Sequence, residues 1–280
     1  MSVRIRGLIC GGMLILPISL AFAAPSVQFG AMVGRISPDA AVPAVFGNRE
    51  EGFSIKIDGV GAQSASLHAD VFQVADKLAM PLSKDIHLQE GVTFSGTSSQ
   101  YLWTSMKFPD VKARAEVLVR LALIQNGTAD SLGDIRFEVF PASVTKDLTD
   151  LLQPKGDSAA SVVVFGPGPK LRHFLTSLHV PFEDGGSDSP DRFDPNRLYF
   201  GELTSDEQFQ DAQDHGAGAR LVLFYHDEAL PTGVYADRSS AGALIHVTSP
   251  LLDNLNDDPR AQLGLMKIIH LLSAPLPSAN

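Results

Sequence analysis

The apolar residues of this chain change period part-way along it, and that change constrains the fold more than any other feature. Between residues 52 and 141 they alternate. Phe53, Ile55 and Ile57 oppose Ser54 and Lys56; Val117, Val119, Leu121 and Leu123 oppose Leu118, Arg120 and Ala122; Ile135, Phe137 and Val139 oppose Arg136 and Glu138. Alternation puts one set on each face of a strand, so each run reads as a half-buried strand. Turn chemistry at Asp58-Gly59, Asn126-Gly127 and Leu132-Gly133 separates the runs. Many short strands with frequent turns predict a β-sandwich. Residues 70–80 fit both periods, because Val71, Val74, Ala75 and Leu78 have helical spacing while Leu67, Ala69 and Val71 alternate. Residues 24–48, rich in small residues and proline, read as a lead-in with one edge strand.

Beyond residue 160 the pattern is different. Ser161 and the apolar run that follows it end in Gly166-Pro167-Gly168-Pro169, and Leu171, Phe174, Leu175 and Leu178 then recur at i, i+3, i+4 and i+7. That order predicts a buried strand, a tight turn and an amphipathic helix. Short strands are expected at 180–182 and 198–200, and buried strands at 221–225 and 243–247. Thr204-Ser205-Asp206-Glu207 has a capping-box spacing for a helix ending near His215-Gly216, and Asp258-Pro259 opens a final helix with Leu265, Ile268, Ile269 and Leu272 on one face. Strands alternating with helices imply a mostly parallel sheet covered on both sides. The expected fold class is therefore an α+β two-domain chain: an N-terminal β-sandwich followed by a three-layer α/β domain with a mostly parallel sheet. The polar stretch 147–158, with Pro154, Lys155, Gly156 and Asp157 in a row, is the expected linker.

The N-terminus carries Arg4 and Arg6, an apolar run from Leu8 to Leu20, and Ala21-Phe22-Ala23, which is the order of a cleaved secretory signal peptide over residues 1–23. The run is short of the roughly 20 residues needed to cross a bilayer, and Gly11, Gly12 and Pro17 interrupt it. A secreted or periplasmic location follows, with no membrane span after cleavage. Cys10, the single cysteine, would leave with the signal. That excludes a disulfide, a thiol nucleophile and a thiolate metal site. At 44% hydrophobic and 19% charged residues a packed core is expected, and the net charge of −10 argues against nucleic acid as a partner.

No motif announces a chemistry, and no cofactor is expected. Gly166 and Gly168 stand where open α/β folds bind anions at a helix N-terminus, yet Pro167 and Pro169 lack the N–H groups such a cradle needs, so a structural turn is the simpler reading. His226, Asp227 and Glu228 follow the 221–225 strand at its carboxyl end, where ligands of open α/β sheets lie, and offer acid–base groups; against them stands a solvated loop. Asp184, Asp188 and Asp191, with Asp194 nearby, have the oxygen-rich composition of a calcium loop without the order of an EF-hand. His173, His179 and His270 have no metal-ligand spacing. No serine lies in a Gly-x-Ser-x-Gly elbow. Trp103, beside Tyr101 on an expected strand, suits the apolar face of a sugar, although a lone tryptophan in a sandwich is more often core. Asn126-Gly127-Thr128 fits a glycosylation acceptor and, equally, a turn.

Three segments carry a family resemblance: the opening SVVVFGPGPKLRHFLTSLHVPFED, the central GARLVLFYHDE and the closing GALIHVTSPLLDNLNDDPRAQLGLMKIIHLL. Together they resemble the Rossmann-like, class I glutamine amidotransferase-like domains found at the C-terminal ends of bacterial sugar hydrolases. The resemblance implies a β-sandwich neighbour and a link to carbohydrate. It implies no active site, since that chemistry needs a cysteine and the mature chain has none. The expected division is thus a signal peptide (1–23), a β-sandwich (24–146), a linker (147–158) and an amidotransferase-like α/β domain (159–275). The expected function is an exported, non-catalytic accessory or binding protein with carbohydrate or another envelope protein as partner. A hydrolase using His226, Asp227 or Glu228, and a structural interaction module of the cell envelope, are the alternatives.

Overall fold

The computed structural model describes residues 35–38, 42–58, 63–76, 78–94, 99–153, 162–216, 218–226, 230–239 and 242–273. Residues 1–23, expected as a signal peptide, lie outside them. The fold is mixed α/β.

Eight strands come first: β1 (Arg35–Pro38), β2 (Ala44–Phe46), β3 (Glu50–Asp58), β4 (Gln63–Ala75), β5 (Leu78–Phe94), β6 (Ser99–Lys107), β7 (Ala115–Gln125) and β8 (Thr128–Phe140). They form a three-stranded sheet in the order β1-β3-β6 and a five-stranded sheet in the order β2-β8-β7-β4-β5. Neighbours are antiparallel except for the parallel β2–β8 pair. The alternation read from the sequence is the burial pattern. Phe53, Ile55 and Ile57 of β3 meet Val117, Val119, Leu121 and Leu123 of β7 in one hydrophobic cluster. Phe53 and Phe108 both pack edge-on or tilted against Phe137 at its centre, with centroids 5.0 and 4.8 Å apart. The ambiguous stretch 70–80 is strand: Leu67, Ala69 and Val71 are buried and pair with β7, and the chain reverses at Asp76. Asn126 and Gly127, both at positive φ, make the two-residue turn between β7 and β8.

The remainder contains α1 (Ser143–Leu152), β9 (Val162–Phe165), α2 (Lys170–Ser177), β10 (Glu183–Asp184), β11 (Leu198–Glu202), α3 (Asp206–His215), β12 (Arg220–Phe224), β13 (Val234–Ser239), β14 (Gly242–Val247), a short 3-10 turn (Leu251–Asn254) and α4 (Pro259–Ser273). The six strands lie in the order β10-β9-β11-β12-β14-β13, parallel throughout except for the antiparallel edge strand β13. On one face Val164, Phe200, Val222 and Ile245 pack with Leu171, Phe174 and Leu175 of α2 and Leu265, Ile268 and Ile269 of α4. On the other, Val163, Phe165, Leu221 and Leu223 pack with Ala212 of α3. Burial on both faces explains why these strands read as continuous apolar runs.

Three local expectations are corrected. The strand expected at 180–182 is displaced to β10; Val180 instead drops into the core beneath α2. Residues 147–152, expected as linker, complete α1, which buries Val144, Leu148 and Leu152. Thr145 Oγ1 donates to Gln262 Oε1 of α4 at 2.9 Å, so this polar-looking helix is fastened to the last one. At α3 the cap sits one residue later than the expected box: Ser205 accepts from the Gln208 N–H, and Gln208 Oε1 returns to the Thr204 N–H at 3.1 Å.

Candidate functional site

The carboxyl ends of β11, β12 and β14 finish side by side at Glu202, Phe224 and Val247, and a cavity of about 540 Å³ opens over them. Parallel sheets place loops rather than paired strands at this edge, which is why ligands collect there. Leu203, Phe224, Val247 and Leu252 give it apolar walls; Thr204, Tyr225, Thr232, Thr248 and Ser249 bring hydroxyls. Two of the sequence candidates reach it, His226 and Gly168. Asp227 and Glu228 lie outside the described residues.

Glu202 dominates the chemistry of this edge. Its side chain is buried, and its carboxylate accepts from the Lys170 N–H at 3.2 Å and the Leu171 N–H at 3.0 Å. Those are the first donors of α2, the groups that a bound anion would use in an open α/β fold. The chain thus supplies its own anion. Gly168 permits this approach, since a Cβ there would fall 2.2 Å from the Glu202 side chain. The turn before α2 is equally self-contained. The Gly166 N–H donates to the Gly186 carbonyl and the Gly168 N–H to the Glu202 carbonyl, while Arg172 Nη1 donates to the Gly166 and Gly168 carbonyls at 2.8 Å each. Gly166 sits at φ +90°, with Glu202 backbone within 2.4 Å of where a Cβ would be, so only glycine fits. Gly166 and Gly168 therefore build a structural turn.

The charged groups around the cavity are also engaged. Lys170 Nζ donates to Asp253, and the hydrogen bond to that carboxylate holds the ammonium pKa above its ordinary value. Thr248 Oγ1 donates to the Pro231 carbonyl at 2.9 Å and accepts from the Gly233 N–H at 2.8 Å, pinning the strand-to-strand loop. Tyr225 stacks on Phe209 and its hydroxyl donates to Asp206. His246, buried on β14, lies against Phe209 and hydrogen-bonds through Nε2 to the Tyr225 carbonyl at 3.0 Å. Its apolar strand pattern hid this aromatic cluster from sequence reasoning.

In the aspartate loop Asp184 is engaged by an arginine. Arg172 Nε and Nη2 hold Asp184 at 3.2 and 2.8 Å, and these bonds, with one from the Gly186 N–H, keep its pKa below the ordinary carboxylate value. Asp188 and Asp191 are exposed, and among the described residues no three acidic, histidine or cysteine side chains are grouped to hold a metal ion.

Trp103 overturns its expectation as core. It is 68% exposed, and Tyr101, two residues earlier on the same face of β6, is 65% exposed. Both stand on the outward face because the intervening Leu102 and flanking Thr104 turn the other way. The indole lies across Gly52 of the neighbouring strand, where a Cβ would come within 2.3 Å of the ring. In register, Ser54 is opposite Trp103 and Lys56 opposite Tyr101. The result is an aromatic shelf bordered by polar side chains.

A further constellation had no linear signal. On the outward face of β4 and β5, Ser66 Oγ lies 3.2 Å from His68 Nε2, and His68 Nδ1 lies 2.6 Å from Asp85 Oδ1. The connectivity is that of a nucleophile–base–acid relay. Its setting is not: the Asp85 side chain is 75% exposed, and the Ser66 hydroxyl is also in reach of the Ile124 carbonyl, 3.3 Å away. His87, opposite His68, pairs with Glu90, extending a polar network over an open sheet surface.

Neither protein-family models nor characterised proteins give a match to the chain. Solved structures give distant likenesses. A Niemann-Pick type C2 protein from the Japanese carpenter ant is 11% identical, with 41% of this chain and 98% of that one covered at a TM-score of 0.30. The C-terminal domain of wzt is 11% identical over 42% of this chain and 80% of its own, at 0.31. The sporulation control protein Spo0M from Bacillus subtilis is 16% identical over 44% and 55%, at 0.28. At these scores the likenesses identify neither a family nor an activity.

Proposed function

We propose that the protein is an exported accessory protein that binds carbohydrate without transforming it. In this reading residues 24–146 are a β-sandwich module that carries the ligand surface, and residues 159–275 are a cysteine-less, amidotransferase-like α/β module. The observation that carries it is the exposure of Trp103 beside Tyr101. Leaving two large aromatic rings in water forgoes about 1.5–3 kcal/mol of burial for each, so a shelf of this kind is the mark of a surface awaiting a flat, partly apolar partner such as a pyranose face. At the sheet edge the carboxylates of Glu202 and Asp253 are committed, to α2 and to Lys170; of the hydrolase candidates His226 lines the cavity, and Asp227 and Glu228 lie outside the described residues.

Trp103 is the only tryptophan in the chain, so tryptophan fluorescence reports on the shelf alone. Titration with soluble glucans and galactans is expected to quench or shift that emission saturably, and Trp103→Ala to weaken the binding of these polymers measured by calorimetry. Undiminished binding by Trp103→Ala would refute the assignment.

The envelope-module reading has its own observation. Leu78, Met80 and Leu82 are exposed at alternate positions of β5, the edge strand of the five-stranded sheet. Pro81 and Lys84 on the same strand are residues that discourage edge pairing. A sedimentation experiment separates the readings: a concentration-dependent dimer lost in Met80→Lys would favour the module.

A further inference from the structure

We infer that the cavity at the carboxyl edge of the six-stranded sheet is a second binding site, for an uncharged polyhydroxyl ligand of mono- or disaccharide size, and that Glu202 sets its selectivity against anions. It shares no lining residue with the Trp103 shelf, so it stands or falls independently of that surface.

Position and size come first. The cavity lies over the ends of three adjacent parallel strands, and about 540 Å³ falls within the roughly 300–1,000 Å³ of small-molecule sites. Its wall combines the apolar side chains of Phe224 and Val247 with the hydroxyls of Thr232 and Ser249. Among the described residues those two hydroxyls have no hydrogen-bond partner, whereas Thr248 is fully engaged in holding the loop. An apolar surface with a few unengaged hydroxyls matches the two-sided chemistry of a sugar ring.

Charge decides the class. In an open α/β fold the first N–H groups of the helix after the first strand attract phosphate or carboxylate. Here Glu202 already occupies Lys170 N and Leu171 N. An arriving anion would meet a buried carboxylate in place of free donors. Among the described lining residues the one ammonium, that of Lys170, is paired with Asp253. A neutral ligand meets no such repulsion, and it can exchange hydrogen bonds with the hydroxyls on equal terms with water.

The test is thermal shift and calorimetry on the full chain with glucose, galactose, maltose, inorganic phosphate and glucose 6-phosphate as probes, comparing the parent with Trp103→Ala, Thr232→Trp and Glu202→Ser. Thr232 is exposed at the mouth, so an indole there fills the cavity with little strain on the fold. At least one neutral sugar is expected to stabilise both the parent and Trp103→Ala, with affinity reduced by about tenfold or more in Thr232→Trp. Phosphate and glucose 6-phosphate leave the parent unmoved, while Glu202→Ser, its helix N-terminus vacated, gains a response to phosphate. If Glu202→Ser does not fold, the other arms still decide. A parent response to phosphate equal to that to glucose overturns the inference; so does equal sugar affinity in Thr232→Trp, or the absence of any sugar response in Trp103→Ala. Loss of the Trp103 fluorescence response with the cavity response intact would sink the shelf alone.

Discussion

The carboxylate of Glu202, at the end of β11, accepts the Leu171 N–H 3.0 Å away and so caps a helix whose second residue lies 31 positions earlier. This long-range cap ties β11 to the helix that follows β9. Both orphan donors it satisfies are at a helix start, where an anion is favoured by the backbone dipole.

Removing that carboxylate leaves two buried or half-buried N–H groups without a partner. Glu202→Ala is expected to lower stability by about 2–4 kcal/mol, combining a lost helix cap with charged hydrogen bonds. Glu202→Gln keeps an oxygen acceptor and should cost less. Urea unfolding of the two variants checks the order; equal costs would show that shape rather than charge matters here.

Gly168→Ala probes the same contact from the other side. A Cβ there would sit 2.2 Å from the Glu202 side chain, too close for any real contact. A loss of roughly 1–3 kcal/mol is expected, as for overpacking in a tight core. Gly127→Ala, with nothing within 4 Å of its Cβ position but a positive φ, should cost less in contact and register as backbone strain alone.

Helix α1 shows what the sequence hides. Its composition is that of a linker, because Lys146, Asp147, Thr149 and Asp150 crowd the polar face. The signal was present in Val144, Leu148 and Leu152 at every fourth position, but only three apolar residues in a short helix cannot be told from chance without the partner they meet. That partner is α4, over a hundred residues away. Leu148→Ala, at a fully buried site, is expected to cost about 2–5 kcal/mol by thermal or urea melting.

By contrast, the strands were legible because each buries one or both faces and so writes its period into the chain: Val117, Val119, Leu121 and Leu123 could hardly be read otherwise. What no period encodes is the meeting of groups from distant elements. The Glu202 cap, the Arg172 clasp on Gly166 and Gly168, and the Ser66–His68–Asp85 relay all depend on register. The exposure of Trp103 is a different failure. Residue type predicts burial on average, whereas strand phase decides it, and Trp103 shares its phase with Ser105 and Tyr101 rather than with Thr104 and Met106.

Arg260 of α4 donates through Nε and Nη2 to Glu138 Oε2 of β8 at 3.0 and 2.9 Å, and through Nη2 to the Val42 carbonyl at 2.7 Å. Burial by itself would raise the Glu138 pKa, but hydrogen bonds from Arg260 and Arg114 outweigh it and hold the carboxyl below its ordinary value of 4.5. A depressed folded-state pKa means the ion cluster stabilises fully above the unfolded value and is lost as pH falls through the folded one. The melting-temperature gap between the parent and Glu138→Gln should therefore be constant near neutrality and shrink on acidification below about 4.5. A gap that widens there would contradict the sign.

For a protein that binds without transforming, Ser66 should behave as an ordinary surface hydroxyl. Incubation with a fluorophosphonate probe and intact-mass analysis is expected to show no adduct. A stoichiometric adduct lost in both Ser66→Ala and His68→Ala would instead make the relay a working nucleophile.

The shelf itself is open to a single measurement, the emission of Trp103 during titration with soluble oligosaccharide. Before ligand the indole should emit as a water-exposed ring and be readily quenched by acrylamide. Saturating saccharide should blue-shift the emission and protect it from the quencher, with Gly52→Ala weakening the effect by displacing the ring. Trp103 emission and quencher access left unchanged by every saccharide tested would contradict the proposed function.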